Sequence, residues 1–199
     1  MSRRNLQSGF SLVELMIVIV MVGVVSTTTY TFFVTSFNQY LALQTEGMVD
    51  ADLALQSQRI ASVLRGVTDI TAATNADVTL TAYFSPSDAY VSQIKYYKNG
   101  PGNKLLADVT PYTANPPTGT LITASKQTYT IVDPFITLSG VNTFEYLDSA
   151  GTAMTVPIAD LHTVKGVRVN LASPVKSPTS TGNSAMNIQV SLRNRKTNL

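Results

Sequence analysis

From Leu15 to Thr45 the chain runs 31 residues without a charged side chain. Few features restrict a fold more. A helix that crosses the hydrocarbon core of a bilayer needs about 20 residues, and only structures that satisfy their own backbone survive there. The apolar run begins at Phe10 and holds to Val25, interrupted by Ser11, Glu14 and Gly23. Residues 10–33 supply the required length once Ser26 to Thr29 are included, as such residues are tolerated in membrane helices. Arg3 and Arg4 precede the run, and Glu46, Asp50 and Asp52 follow it. The positive-inside rule then puts the N-terminus in the cytoplasm and the bulk of the chain outside.

A secretory signal peptide would end in small residues, and Val24-Val25-Ser26 offers such a site. A plain signal anchor is a second reading, leaving an extracytoplasmic or secreted binding domain that does not polymerise. Neither accounts for Glu14, because a carboxylate in an apolar helix costs roughly 2.5–3.5 kcal/mol on insertion scales and normally has a partner. The stretch Gly9-Phe10-Ser11-Leu12-Val13-Glu14 resembles the cleavage motif of type IV prepilins and type II secretion pseudopilins. That motif is a short basic leader ending in Gly, then Phe, then Glu as the fifth mature residue, then an unbroken apolar stretch. The resemblance implies that a prepilin peptidase cuts after Gly9 and methylates the new Phe10 amine. The mature chain would have 190 residues, with 12 basic against 12 acidic side chains.

Phe10 and Glu14 are four apart and lie one helical turn from each other. Glu14 falls in the first turns, where the helix dipole favours an anion, and a charge pair gains strength in a low-dielectric bundle. The family implication is that Glu14 meets the Phe10 amine of a neighbouring subunit and sets axial register. The plainer alternative is a pairing with its own N-terminus, or snorkelling to the headgroups. Gly23 stands where many pilins have a glycine in this helix, a residue that permits close helix approach. Many major pilins have a proline eight positions further on, where this chain has Thr31.

Beyond the span, Val49, Leu53, Ile60, Leu64 and Val67 form one apolar stripe on an amphipathic helix, with Asp50, Asp52, Gln56 and Arg59 off it. Gly47 marks a candidate bend. One helix is therefore expected from residue 10 to about 66, ending at Gly66 and roughly 85 Å long. From Asp77 the period changes to two, with Val78, Leu80, Ala82 and Phe84 on one face. Ser92 to Lys98 reads as a second strand. Residues 100–119 hold four prolines and three glycines and read as an irregular surface segment. Tyr129 to Val132 reads as a strand that Pro134 stops. Thr143 to Leu147 and Thr152 to Val156 read as a hairpin about the turn Asp148–Gly151. Val167 to Leu171 and Ile188 to Leu192 alternate like strands, flanking an expected 14-residue loop from Ser173 to Met186. Phe144 to Gly151, Val164 to Leu171 and Val190 to Asn194 are similar, loosely, to J-type pseudopilins and W-type minor pilins.

The fold class expected is α+β: a long N-terminal helix, half membranous and half amphipathic, packed on an antiparallel sheet in pilin-like fashion. Its divisions are a leader at 1–9, a transmembrane and filament-core helix at 10–37, and an extracytoplasmic globular domain at 38–199. Composition narrows the chemistry. Only 13% of the 199 residues are charged, the net charge is +2, and there are 26 threonines. Abundant Thr, Val and Tyr with low charge favours β-structure over disorder. The absence of cysteine excludes disulfides and thiol chemistry, and a single histidine excludes His clusters. His162 reads as a surface or strand-edge residue. Asp148 and Asp160 lack the acidic cluster a calcium site needs, with its roughly six to eight oxygens, so no metal or other cofactor is expected. No nucleophile elbow or phosphate loop occurs, so no catalytic residue is expected. Arg193, Arg195 and Lys196 form a basic tail, and three charges hold DNA weakly at physiological salt; nucleic acid is not an expected partner. The resemblance implies as partners the prepilin peptidase, other pilin or pseudopilin subunits, the pilus assembly platform and the cytoplasmic membrane, with no small-molecule substrate. It implies a single-pass membrane protein, N-terminus inside, that later joins an extracellular or periplasmic filament.

Overall fold

The computed structural model describes residues 11–100, 103–178 and 181–193. Helix α1 spans Leu12–Arg65, 54 residues without interruption, which makes it roughly 80 Å long. Ser11 caps its start in an extended conformation, and Gly66 ends it, giving its N–H to the Val63 carbonyl at 3.0 Å. Gly47 lies inside the continuous helix. The hydroxyls of Thr27, Thr28 and Thr29 each donate to the carbonyl four residues back at 2.8 Å. These bonds satisfy the three threonine hydroxyls within the helix, which lets them sit in an apolar surface.

Two antiparallel sheets follow. The first is a meander of β1 (Asp69–Ala73), β2 (Asp77–Ala82), β3 (Ser92–Asn99), β4 (Lys104–Pro111) and β5 (Gln127–Val132), in that spatial order. The second has β7 (Gly166–Lys176) between β6 (Phe144–Leu147) and β8 (Thr181–Ser191). Helix α1 lies against β7 and β8, and touches β5. The expected stripe is the face that packs: Leu53, Ile60, Leu64 and Val67 are buried, and Val49 is packed against the core. Ser57 continues the row, its hydroxyl on the Ala54 carbonyl at 2.8 Å and against the Met186 sulfur at 3.3 Å. The two sheets share one core, to which Val78, Leu80, Ile94, Tyr96 and Leu105 contribute from the first, and Phe144, Tyr146, Val167, Val169 and Leu171 from the second. Tyr146 also joins them by a polar contact, its hydroxyl donating to the Thr74 carbonyl at 2.8 Å.

Three expectations are corrected. The segment 100–119 is not irregular throughout, because β4 occupies Lys104–Pro111 in the interior of the first sheet. Its prolines bracket the strand rather than interrupt it, and Leu105, Ala107 and Val109 turn inward. The loop between the last two strands is far shorter than Ser173 to Met186, for β7 continues to Lys176 and β8 starts at Thr181. Pro174 is admitted because β6 pairs only with Gly166 to Val169. Beyond the Ala172 carbonyl, which takes the Ile136 N–H at 3.0 Å, no described strand pairs with that edge of β7, and a missing N–H costs little there. The hairpin from Thr143 to Val156 is cut short at the bridge between Leu147 and Ala153, with the Met154 N–H on the Tyr146 carbonyl at 2.8 Å, because the Phe144 N–H beyond it goes to the Asn75 carbonyl at 3.1 Å. The turn itself forms as the sequence implies, with Gly151 at φ +81°. Strand β1, which has no alternating pattern, was not anticipated; it follows the helix directly and pairs with β2.

Candidate functional site

From Ser11 to Phe37 every residue of the helix is exposed, and cover by the rest of the chain begins at Asn38. The large apolar side chains from Leu12 to Val25 are each at least 48% exposed. Burying a side chain of this size is worth about 1.5–3 kcal/mol, so a bare surface of a dozen such residues needs lipid or protein around it. This is the described helix long and apolar enough to cross a membrane, with a mean hydropathy of 2.2 in its most apolar window.

Glu14 sits in the first turn. Its Oε2 accepts the Ser11 N–H at 3.4 Å, while the Ser11 hydroxyl accepts the Glu14 N–H at 3.2 Å. This is a reciprocal capping box. The carboxylate therefore satisfies an N-terminal donor within its own chain and still presents a negative charge at the exposed end of the helix. Gly9 and Phe10, the expected cleavage and methylation residues, lie outside the described residues, as do the expected leader residues Met1 to Ser8 and the tail residues Arg195 and Lys196. A methyl group added at Gly23 would meet nothing within 4 Å. No contact among the described residues explains a glycine there.

Residues in the globular part have local work. Asp148 Oδ1 accepts the Ala150 and Thr152 N–H groups at 2.8 and 2.9 Å, and Asp160 Oδ1 accepts the His162 N–H at 2.9 Å. Each carboxylate shapes its own loop, and His162 is exposed in a short 3-10 turn. On the first sheet Asp108 is 9% exposed. It receives Thr128 Oγ1 at 2.6 Å, Lys126 Nζ at 2.7 Å and Tyr97 Oη at 3.3 Å. Burial pushes its carboxyl up, but these hydrogen bonds and the Lys126 charge outweigh it and hold the group below the usual carboxylate value. The same bond raises Lys126 above the ordinary amine value. On the second sheet Arg168 bridges Glu145 at 2.7 Å and Gln189 at 3.1 Å, tying three strands on the outer face.

One feature escaped the sequence reading. Arg59 of α1, Tyr83, Phe84 and Tyr90 of the β2–β3 connection, Tyr112 after β4, and Tyr129 of β5 line one cleft. Arg59 had been legible only as a residue off the helix stripe, and the aromatics come from stretches with no motif between them.

Residues 4–30 match the family model described as the prokaryotic N-terminal methylation motif. The match takes in Gly9, Phe10, Glu14 and Gly23, and it supports the type IV pilin and pseudopilin family. The helix and sheets give the α+β, pilin-like architecture that goes with it. The motif points to a structural subunit rather than an enzyme, and with the bare apolar helix it fits membrane anchoring before assembly. No curated protein matches the chain.

Proposed function

We propose that the protein is a minor pilin or pseudopilin, a structural subunit of a type IV pilus or a type II secretion-like filament. The observation that carries this reading is the methylation motif at residues 4–30, continuing directly into an apolar helix whose surface the rest of the chain leaves bare. A prepilin peptidase at the cytoplasmic face removes residues 1–9 and methylates Phe10. The subunit waits in the cytoplasmic membrane with its N-terminus inside and residues 38–199 outside. The assembly platform then moves it from lipid into a helical bundle, where other subunits cover the face from Leu12 to Phe37. Each step exchanges one apolar environment for another, so selection among partners falls to the few groups that are not apolar. Glu14 offers charge to a neighbour's Phe10 amine, and Gly23 offers close approach.

The test is the mature N-terminus. Mass spectrometry of protein from membranes is expected to find N-methylated Phe10 as the first residue. A Gly9→Leu variant is expected to remain uncut and absent from sheared filaments, because a small residue must fit the peptidase. A start at Thr27, or normal cutting of Gly9→Leu, refutes the reading in favour of a secreted or anchored domain.

A further inference from the structure

The tyrosine-lined cleft lies between α1, the segment joining β2 to β3, and β4 and β5, and holds about 850 Å³. That is within the roughly 300–1,000 Å³ typical of small-ligand sites. Tyr83 and Tyr112, on the rim of the cleft, also line a separate hollow of about 360 Å³ beside Thr71 and Thr81.

Tyr83, Phe84 and Tyr129 are held before any ligand arrives. Asn115 Nδ2 donates to the Tyr83 hydroxyl at 3.2 Å, while Asn115 Oδ1 accepts the Val91 N–H at 3.0 Å. Phe84 and Tyr129 stack at 4.9 Å between centroids, and the Arg59 guanidinium lies 5.1 Å over Phe84. Tyr83 and Tyr90 nevertheless remain 40% and 47% exposed. Between the rings stand short polar groups: Ser62, Ser125, Gln127 and the Asp88 carboxylate, which accepts the Ser85 N–H at 2.8 Å through one oxygen. The lining thus combines flat apolar faces with donors and acceptors, and its charged groups, Arg59 and Asp88, cancel.

This composition discriminates between ligand classes. A lipid tail needs continuous apolar walls, which the serines and Asp88 interrupt. A single-stranded nucleic acid would use the rings, but it also needs several cations along its backbone, and the lining here holds one guanidinium and one carboxylate. A sugar ring has an apolar C–H face, edged with weakly positive hydrogens that suit the negative face of an aromatic ring. It also carries a rim of hydroxyls that must find both donors and acceptors. We propose that this cleft is a binding site for an uncharged saccharide more than one sugar long, stacked on Tyr83 and Tyr90 and hydrogen-bonded by Asp88, Arg59 and Gln127. The proposal concerns the globular domain and stands whether or not the helix polymerises.

The test uses the full-length protein in a non-glycosidic detergent, since a sugar-headed detergent would compete. It is applied to an array of neutral oligosaccharides, and the best binder is titrated by calorimetry. The expected result is micromolar to millimolar binding, weakened about tenfold by Tyr90→Ala with an unchanged melting temperature. Tyr90→Phe keeps the ring and is expected to bind within about threefold of wild type. Gln127→Ala, on the opposite wall, weakens binding independently of the loop that carries Tyr90. The proposal fails if no saccharide binds, or if Tyr90→Ala and Gln127→Ala bind as well as wild type. Binding of an oligoproline peptide or single-stranded oligonucleotide with no saccharide binding also overturns it.

Discussion

Glu14 carries two roles that one substitution would confuse. In the isolated subunit it completes a capping box with Ser11, and in the proposed filament it pairs with a neighbour's amine. Glutamine separates them, because it preserves the box and removes the charge. Glu14→Ala and Glu14→Gln should both reach normal membrane levels as cleaved protein, since a less polar segment inserts at least as well. Both should be depleted from sheared filaments relative to membranes if the charge directs assembly. Depletion of Ala with recovery by Gln would assign Glu14 to helix capping alone. Gly23 poses a parallel question. With open space around it, Gly23→Ala should favour the isolated helix by about 1 kcal/mol. Gly23→Leu should leave membrane levels unchanged yet lower filament incorporation, because a large side chain holds neighbouring helices apart. Equal incorporation of Gly23→Leu and wild type, judged by immunoblot of sheared material, would remove packing as the reason for the glycine. Glu14 and Gly23 stand out in the sequence because motif, spacing and context coincide within a few positions. The cleft around Tyr83 does not, because its walls meet only through the fold.

Among the elements, β4 shows best why composition misled. A strand containing Asp108 and bounded by prolines looks like a loop, since Asp is depleted in strands. The charge is admitted by its neighbours on β3 and just before and on β5, namely Tyr97, Lys126 and Thr128. Asp108→Ala should therefore destabilise the fold by about 1–3 kcal/mol, the cost of losing hydrogen bonds to a buried charged group. Because the folded carboxyl is held below its ordinary value, its contribution is complete above the unfolded value of about 3.9. It fades as pH falls through the lower, folded value. The melting-temperature gap between wild type and Asp108→Ala should be steady from about pH 5 to pH 8 and should close below about pH 4. A gap independent of pH down to strong acid would show that packing, not charge, is what the substitution removes. Strands β7 and β8 misled for a related reason. Pro174 and Gly182 lie opposite neighbouring residues, Asn183 and Val175, in a paired ladder, and a residue list cannot reveal that this end of β7 has an open edge.

For the whole molecule, the sequence indicated the division of labour between an apolar helical half and a mixed domain, because the change from uncharged run to amphipathic stripe to two-residue alternation is written along the chain. That the strands sort into five and three, sharing one core under the helix, was not legible, since alternation names a strand without naming its partner. A fragment starting near residue 38 retains the buried stripe from Leu53 to Val67 and both sheets. It should be soluble and show mixed helix and strand by circular dichroism with one cooperative melt. A purely helical or unfolded spectrum would mean that the core needs the apolar half. The uninterrupted helix has a mechanical consequence as well. A pull along the proposed filament would enter each subunit through the exposed half of α1 and leave through the domain, with no break in the helix between them to absorb it. Tension along the helix axis slides the row Leu53, Ser57, Ile60 and Leu64 past β7 and β8 rather than peeling it off. Contacts loaded in shear share the force, whereas peeled contacts break one by one, so the joint is strongest in the direction in which a fibre is stretched.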